Sequence, residues 1–187
     1  MGDFDLLINK AREFHGGICP GIVLGTRATI AGMRELGMNV FEKSRDLVVY
    51  VEIDRCIADA VQALTGCSLG HRTLKYLPYG KFAATFVDMR TGEAARISII
   101  EKQSSNQAQT DMNEIVATLS EAPEAGLLRI ERVKVTIPEE DLPGLPRHKE
   151  TCSICGEQIL DHKETHVGDA PACKNCASGS YYTILGA

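Results

Sequence analysis

An α+β body followed by a small four-cysteine tail is the architecture this sequence predicts, and three observations carry that reading. Helix-period segments and β-branched runs are interspersed, without regular alternation, over the first 137 residues. The run Pro138-Glu139-Glu140-Asp141-Leu142-Pro143-Gly144-Leu145-Pro146 then breaks all periodicity. Beyond it stand two Cys-x-x-Cys pairs, Cys152 with Cys155 and Cys173 with Cys176. The expected organisation is a body with a mixed sheet and helices over 1–137, a Pro/acidic linker over 138–149, and a zinc-finger domain over 150–187.

The first 14 residues read as a helix, with Leu6, Leu7, Ala11 and Phe14 at helical spacing. His15-Gly16-Gly17 breaks it, and Cys19-Pro20-Gly21 opens a second helix that runs to Met33–Leu36, with Gly37 just past its end. Gly21, Gly25, Ala28 and Gly32 line one side of that helix, which predicts close packing against another element. Leu47-Val48-Val49-Tyr50-Val51 is a buried strand by composition. A helix follows from Cys56 to Leu64, closed by Thr65-Gly66. After a loop through Pro78-Tyr79-Gly80, runs from Ala84 to Met89 and from Ala94 to Ile100 flank Thr91-Gly92 as a hairpin. A helix from Gln107 to Ser120 and a strand from Leu127 to Ile137 complete the body.

Composition narrows the function classes. Of 187 residues, 44% are hydrophobic and 24% charged, ordinary values for a folded domain that argue against disorder. No apolar run approaches the roughly 20 residues of a membrane-spanning helix. The acidic start, Met1-Gly2-Asp3-Phe4-Asp5, lacks the basic-then-apolar order of a signal peptide, so a cytoplasmic location is expected. A net charge of −5 is a poor footprint for tracking phosphate backbones, and nucleic acid is not the expected partner. Seven cysteines, an odd number, point to metal chemistry or buried thiols rather than a disulfide framework.

Cys152, Cys155, Cys173 and Cys176 have the spacing of a four-cysteine zinc site, in which four thiolates close a tetrahedron around the ion. A closed shell of sulfur is structural rather than catalytic. Four sulfurs also suit iron, so a one-electron carrier is the competing reading; a visible spectrum separates red ferric thiolate from colourless zinc. His148, His162 and His166 lie nearby and read as solvated surface residues, since four cysteines fill the shell.

The other three cysteines stand in two chemistry-bearing regions. Pro20 at a first helical position places Cys19 at a helix N-terminus, where backbone N–H groups favour thiolate. Glu52-Ile53-Asp54-Arg55-Cys56-Ile57-Ala58-Asp59 runs from strand end into helix, which places Cys56 near a helix start as well. Thr65-Gly66-Cys67-Ser68-Leu69-Gly70 is a glycine-flanked loop.

Three segments in order, His15-Gly16-x-x-Cys19-Pro20-Gly21, Asp54-Arg55-Cys56-x-x-Asp59-Ala60-x-Gln62 and Thr65-Gly66-Cys67-Ser68-x-Gly70, resemble the FmdE family of formylmethanofuran dehydrogenase subunits, and the four-cysteine tail resembles its longer members. The resemblance implies an α+β body, an intertwined homodimer, and association with a molybdenum or tungsten formylmethanofuran dehydrogenase. It implies no molybdopterin site in this chain itself. It also implies a cleft in which His15, Cys19 and Cys56 hold a second metal with an open position for a small carboxylate or formyl substrate. Asp54 and Asp59 would then assist in proton transfer or in orienting ligands, and Cys67 and Ser68 would contact a cofactor. Where this chain has Gly17, the family pattern carries a second histidine, so the shell implied here has one protein ligand fewer. The expected function is that of an oxidoreductase-associated, metal-binding subunit in one-carbon or formate-type metabolism. A non-enzymatic zinc-finger module that docks a protein or nucleic acid is the alternative from a different class.

Overall fold

The computed structural model describes residues 2–100 and 111–185, which form two compact units, Met1–Thr136 and Ile137–Ala187. The first unit begins with α1 (Asp3–His15) and α2 (Pro20–Glu35) and continues through β1 (Leu47–Val51) into α3 (Cys56–Thr65). Strands β2 (Leu74–Tyr76), β3 (Ala83–Asp88) and β4 (Ala94–Ile99) precede α4 (Met112–Glu121) and β5 (Leu128–Val133). The first part of the helix expected from Gln107 lies outside the described residues; its remainder is α4.

One five-stranded mixed sheet, in the order β2-β1-β3-β4-β5, organises this unit. Only the β1–β2 pair is parallel; the others are antiparallel. β2 has no counterpart in the sequence reading, because three residues are too few to show a period. The hairpin at Thr91-Gly92 forms as expected: Gly92 takes φ 76°, and its N–H reaches the Asp88 carbonyl at 2.8 Å. Alternate residues of the inner strands, Leu47, Val49 and Val51, then Ala84 and Phe86, then Ala95 and Ile97, share the main core with Ala28 and Ala31 of α2. Helix α2 therefore packs on the sheet, and it also meets α1, α3 and α4.

The small-residue side of α2 does what its composition predicts. A Cβ on Gly25 would stand 2.9 Å from the Ala60 Cβ and the Ile57 Cα, and one on Gly21 would stand 2.9 Å from the Cys56 sulfur. The backbones of α2 and α3 thus approach closely at their N-terminal ends, the fact that positions the site below.

In the second unit, β6 (Lys149–Thr151) pairs with β7 (Gln158–Leu160), β8 (Thr165–Val167) pairs with β9 (Ala170–Ala172), and α5 (Lys174–Ser178) ends it. The proline-rich segment clusters with this unit. Arg147 pairs with Glu139 at 2.7 Å, and Lys163 pairs with Asp141 at 3.1 Å. Among the described residues no helix is long and apolar enough to cross a membrane.

Candidate metal centres

His15 is the last residue of α1, and Gly16 at φ 87° turns the chain back at once. Cys19 is the N-cap of α2, with Pro20 at the first helical position, and its Sγ accepts the Ile22 N–H at 3.3 Å. Cys56 is the first residue of α3, brought to Cys19 by the close approach at Gly21.

These placements bring three donors together. The Cys19 and Cys56 sulfurs are 3.5 Å apart, and the Cys19 sulfur is 3.7 Å from His15 Nε2. Donors around one tetrahedral zinc stand about 3.5–3.8 Å apart, given bonds of about 2.0 Å to nitrogen and 2.3 Å to sulfur. The spacing is that of a ligand set. Asp59, one turn along α3 from Cys56, accepts from His15 Nδ1 at 2.7 Å, which fixes the ring and leaves the Nε2 lone pair facing the sulfurs. Burial, then the bond to Cys19, pushes the Cys56 thiol up from its ordinary value. The three donors are half-buried, so a cation there would keep an exposed side. Phe14 and Ile18, beside them in sequence, are exposed apolar residues.

The structure does not bring every expected residue to this point. Asp54 is exposed in the turn before α3 and is not among the converging groups. Cys67 and Ser68 lie beyond the opposite end of α3, a helix of 10 residues and so about 15 Å long. The Cys67 thiol is buried in the main core and donates to the Leu47 carbonyl at 3.6 Å, and burial pushes it up. Ser68 organises its own loop, its hydroxyl accepting the His71 N–H at 3.2 Å. Gly17 faces open space, with no atom within 4 Å of where a Cβ would stand.

In the second unit Cys152, Cys155, Cys173 and Cys176 place all four sulfurs within 4.8 Å of one another, with Cys155 and Cys173 at 4.0 Å. Gly156 at φ 76° completes the first knuckle, its N–H bonded to the Cys152 carbonyl at 2.9 Å. Cys173 caps α5 and accepts the Cys176 N–H at 3.4 Å. Backbone N–H groups of Cys155 and Cys173 pull the Cys152 thiol down to about 6, while the neighbouring Cys173 sulfur helps push Cys176 up to about 12. Such a cluster sheds its first proton readily and holds its last until a cation replaces it. Four sulfurs at this spacing can hold a metal ion.

A third group adds to the sequence reading. His162 and His166 are exposed and His148 is part-exposed, as expected, but the His148 and His162 rings also stack at 3.9 Å beside Glu164. His148 stands 14 residues from His162, across the β6–β7 hairpin, so no local spacing announces the pair.

The family is decided by comparison with known proteins. Residues 14–140 match a family model described as FmdE, molybdenum formylmethanofuran dehydrogenase operon. The chain belongs to the FmdE family. A crystal structure of a tungsten formylmethanofuran dehydrogenase FmdE-like protein from Syntrophus aciditrophicus shares its fold, with a TM-score of 0.66 at 24% identity, covering 96% of this chain and 95% of that one. A probable S-adenosyl-L-methionine-binding protein of Archaeoglobus fulgidus is 31% identical over 96% of this chain. This chain spans 54% of that relative's length. The matched region of the FmdE family contains His15, Cys19, Cys56 and Asp59, whereas the four tail cysteines lie beyond it.

Proposed function

We propose that this FmdE-type protein is a metal-binding accessory subunit for one-carbon or formate-type metabolism, working in the cytoplasm as a homodimer alongside a molybdenum or tungsten enzyme. The observation that carries the reading is the convergence of His15, Cys19 and Cys56, with Asp59 behind His15. Two sulfurs and one nitrogen suit zinc or another borderline metal, and three protein donors leave a fourth position for water or a small carboxylate or formyl group. A zinc ion held by His15, Cys19 and Cys56 would supply Lewis-acid chemistry at the open position, polarising a carbonyl or lowering the pKa of a water there. The chain's own part is to orient the donors: Asp59 fixes the His15 ring, and α2 and α3 hold the cysteines at their N-termini. Zinc in the four-cysteine tail is then structural. The domains are the body 1–137, the linker 138–149 and the zinc finger 150–187.

Isothermal titration of the zinc-loaded protein with formate and acetate tests the open position. Binding that disappears in Cys19→Ser supports it, and equal binding by wild type and variant contradicts it. The likeness to the Archaeoglobus protein adds S-adenosyl-L-methionine to the ligands worth titrating. Sedimentation equilibrium at micromolar concentration tests the dimer, and a mass of one chain contradicts it.

A further inference from the structure

We propose that His148, His162 and Glu164 form a further metal site, separate from the four-cysteine cluster, that takes a divalent first-row ion such as zinc and leaves it exchangeable. His148 enters the hairpin just before β6, and His162 follows β7. The Asp161 N–H, bonded to the His148 carbonyl at 2.9 Å, extends the β6–β7 pairing to the residue beside His162. Asp161 and His162 both take left-handed backbone, φ 55° and 54°, a conformation that non-glycine residues seldom adopt in succession. That turn lays the His162 ring on His148 and brings Glu164 up beside both.

The distances favour a cation. His148 Nε2 and His162 Nδ1 stand 3.4 and 3.5 Å from Glu164 Oε1, longer than the roughly 2.7–3.2 Å of a good N–H···O bond. They match the separation of about 3.4 Å between nitrogen and oxygen ligands placed about 2.1 Å from one tetrahedral ion. Glu164 is only 15% exposed, and its second oxygen is buried without a hydrogen-bond partner among the described residues. A buried carboxylate oxygen with no donor of its own is one that a cation can satisfy. The carboxyl is held below its ordinary range, by its own backbone N–H first and then by the two facing rings, so it is ionised at neutral pH. Two imidazoles and one carboxylate are a set that zinc accepts with a position left open. Binding turns the rings out of their stack, because each lone pair lies in its ring plane and two planes only 8° from parallel do not meet at a nearby point.

The test dialyses the full-length protein to equilibrium against a fixed free-zinc concentration and counts metal per chain in excess of the dialysate by plasma emission, for wild type, His162→Ala and the nearly isosteric Glu164→Gln. Cobalt substitution reports both sulfur sites, the tail's and the body's, through their thiolate charge-transfer bands, which this site, lacking sulfur, does not produce. The expected result is the loss of one zinc equivalent in both variants with the cobalt–thiolate band unchanged. Equal zinc content in wild type and in Glu164→Gln that retains the band overturns the proposal. If a variant loses the band, the count is repeated on wild type with a weak chelator, and absence of a readily removed equivalent beyond the sulfur sites also overturns it.

Discussion

Asp59 would support the proposed metal site of the body without touching the metal itself. Its bond to His15 Nδ1 selects the tautomer and fixes the ring, and loss of such partners weakens metal binding about 10- to 100-fold. Asp59→Asn is expected to lower zinc affinity of the body by that factor while the tail's affinity stays unchanged, as read by competition with a chromophoric chelator. Gly17→His is expected to act in the opposite sense. The position is open, and its φ lies outside the left-handed range, so the added imidazole can join the shell. A rise in affinity of about tenfold, or roughly 1.4 kcal/mol, is the expected size. At this scale the sequence was informative where helix ends fix a side chain. Pro20 announces Cys19 at a helix start, and the strand-to-helix passage announces Cys56. It was uninformative where partners come from distant turns. Nothing in the spacing of His148, His162 and Glu164 reveals a stack made by two left-handed residues.

The contact of α2 with α3 is the element-scale device that makes the site. Gly25 lies against the Ile57 backbone, which cannot move aside as a side-chain tip could. Gly25→Ala is expected to cost about 1–3 kcal/mol, measured by urea denaturation, and to lower zinc affinity by parting the two helix starts. A variant as stable as wild type would show that the helices do not meet this tightly. The four-cysteine unit follows a different logic. Its core is Cys152, Ile159 and Ala172, with Cys173, Cys176 and Ala177 packed against them, so half of this cluster is ligand. Metal binding must therefore supply much of its folding free energy. Cys173→Ser is expected to strip the tail of metal and expose it to protease, while the body, with its own core, stays resistant. The strands of the body could be read from composition because their buried runs are long. β2 and the four tail strands, at three residues each, are set by tertiary pairing and left no period to read.

At the scale of the whole molecule, the two units present metal chemistry of opposite kinds. The tail places four sulfurs that can close around an ion, and the body offers three half-buried donors. Of the two sulfur-bearing sites, chelator titration at neutral pH is expected to empty the body's before the tail's. Acid should do the same, since a shell of three half-buried protein donors yields its ion to protons before a closed shell of four sulfurs does. The measurement that bears most directly on the shared site is an anomalous difference map at the zinc edge from a crystal of the zinc-loaded protein. The account predicts a peak about 2.3 Å from both the Cys19 and Cys56 sulfurs and about 2.0 Å from His15 Nε2, together with a separate peak enclosed by the four tail cysteines. A map with the tail peak present and no density between Cys19, Cys56 and His15 would contradict it.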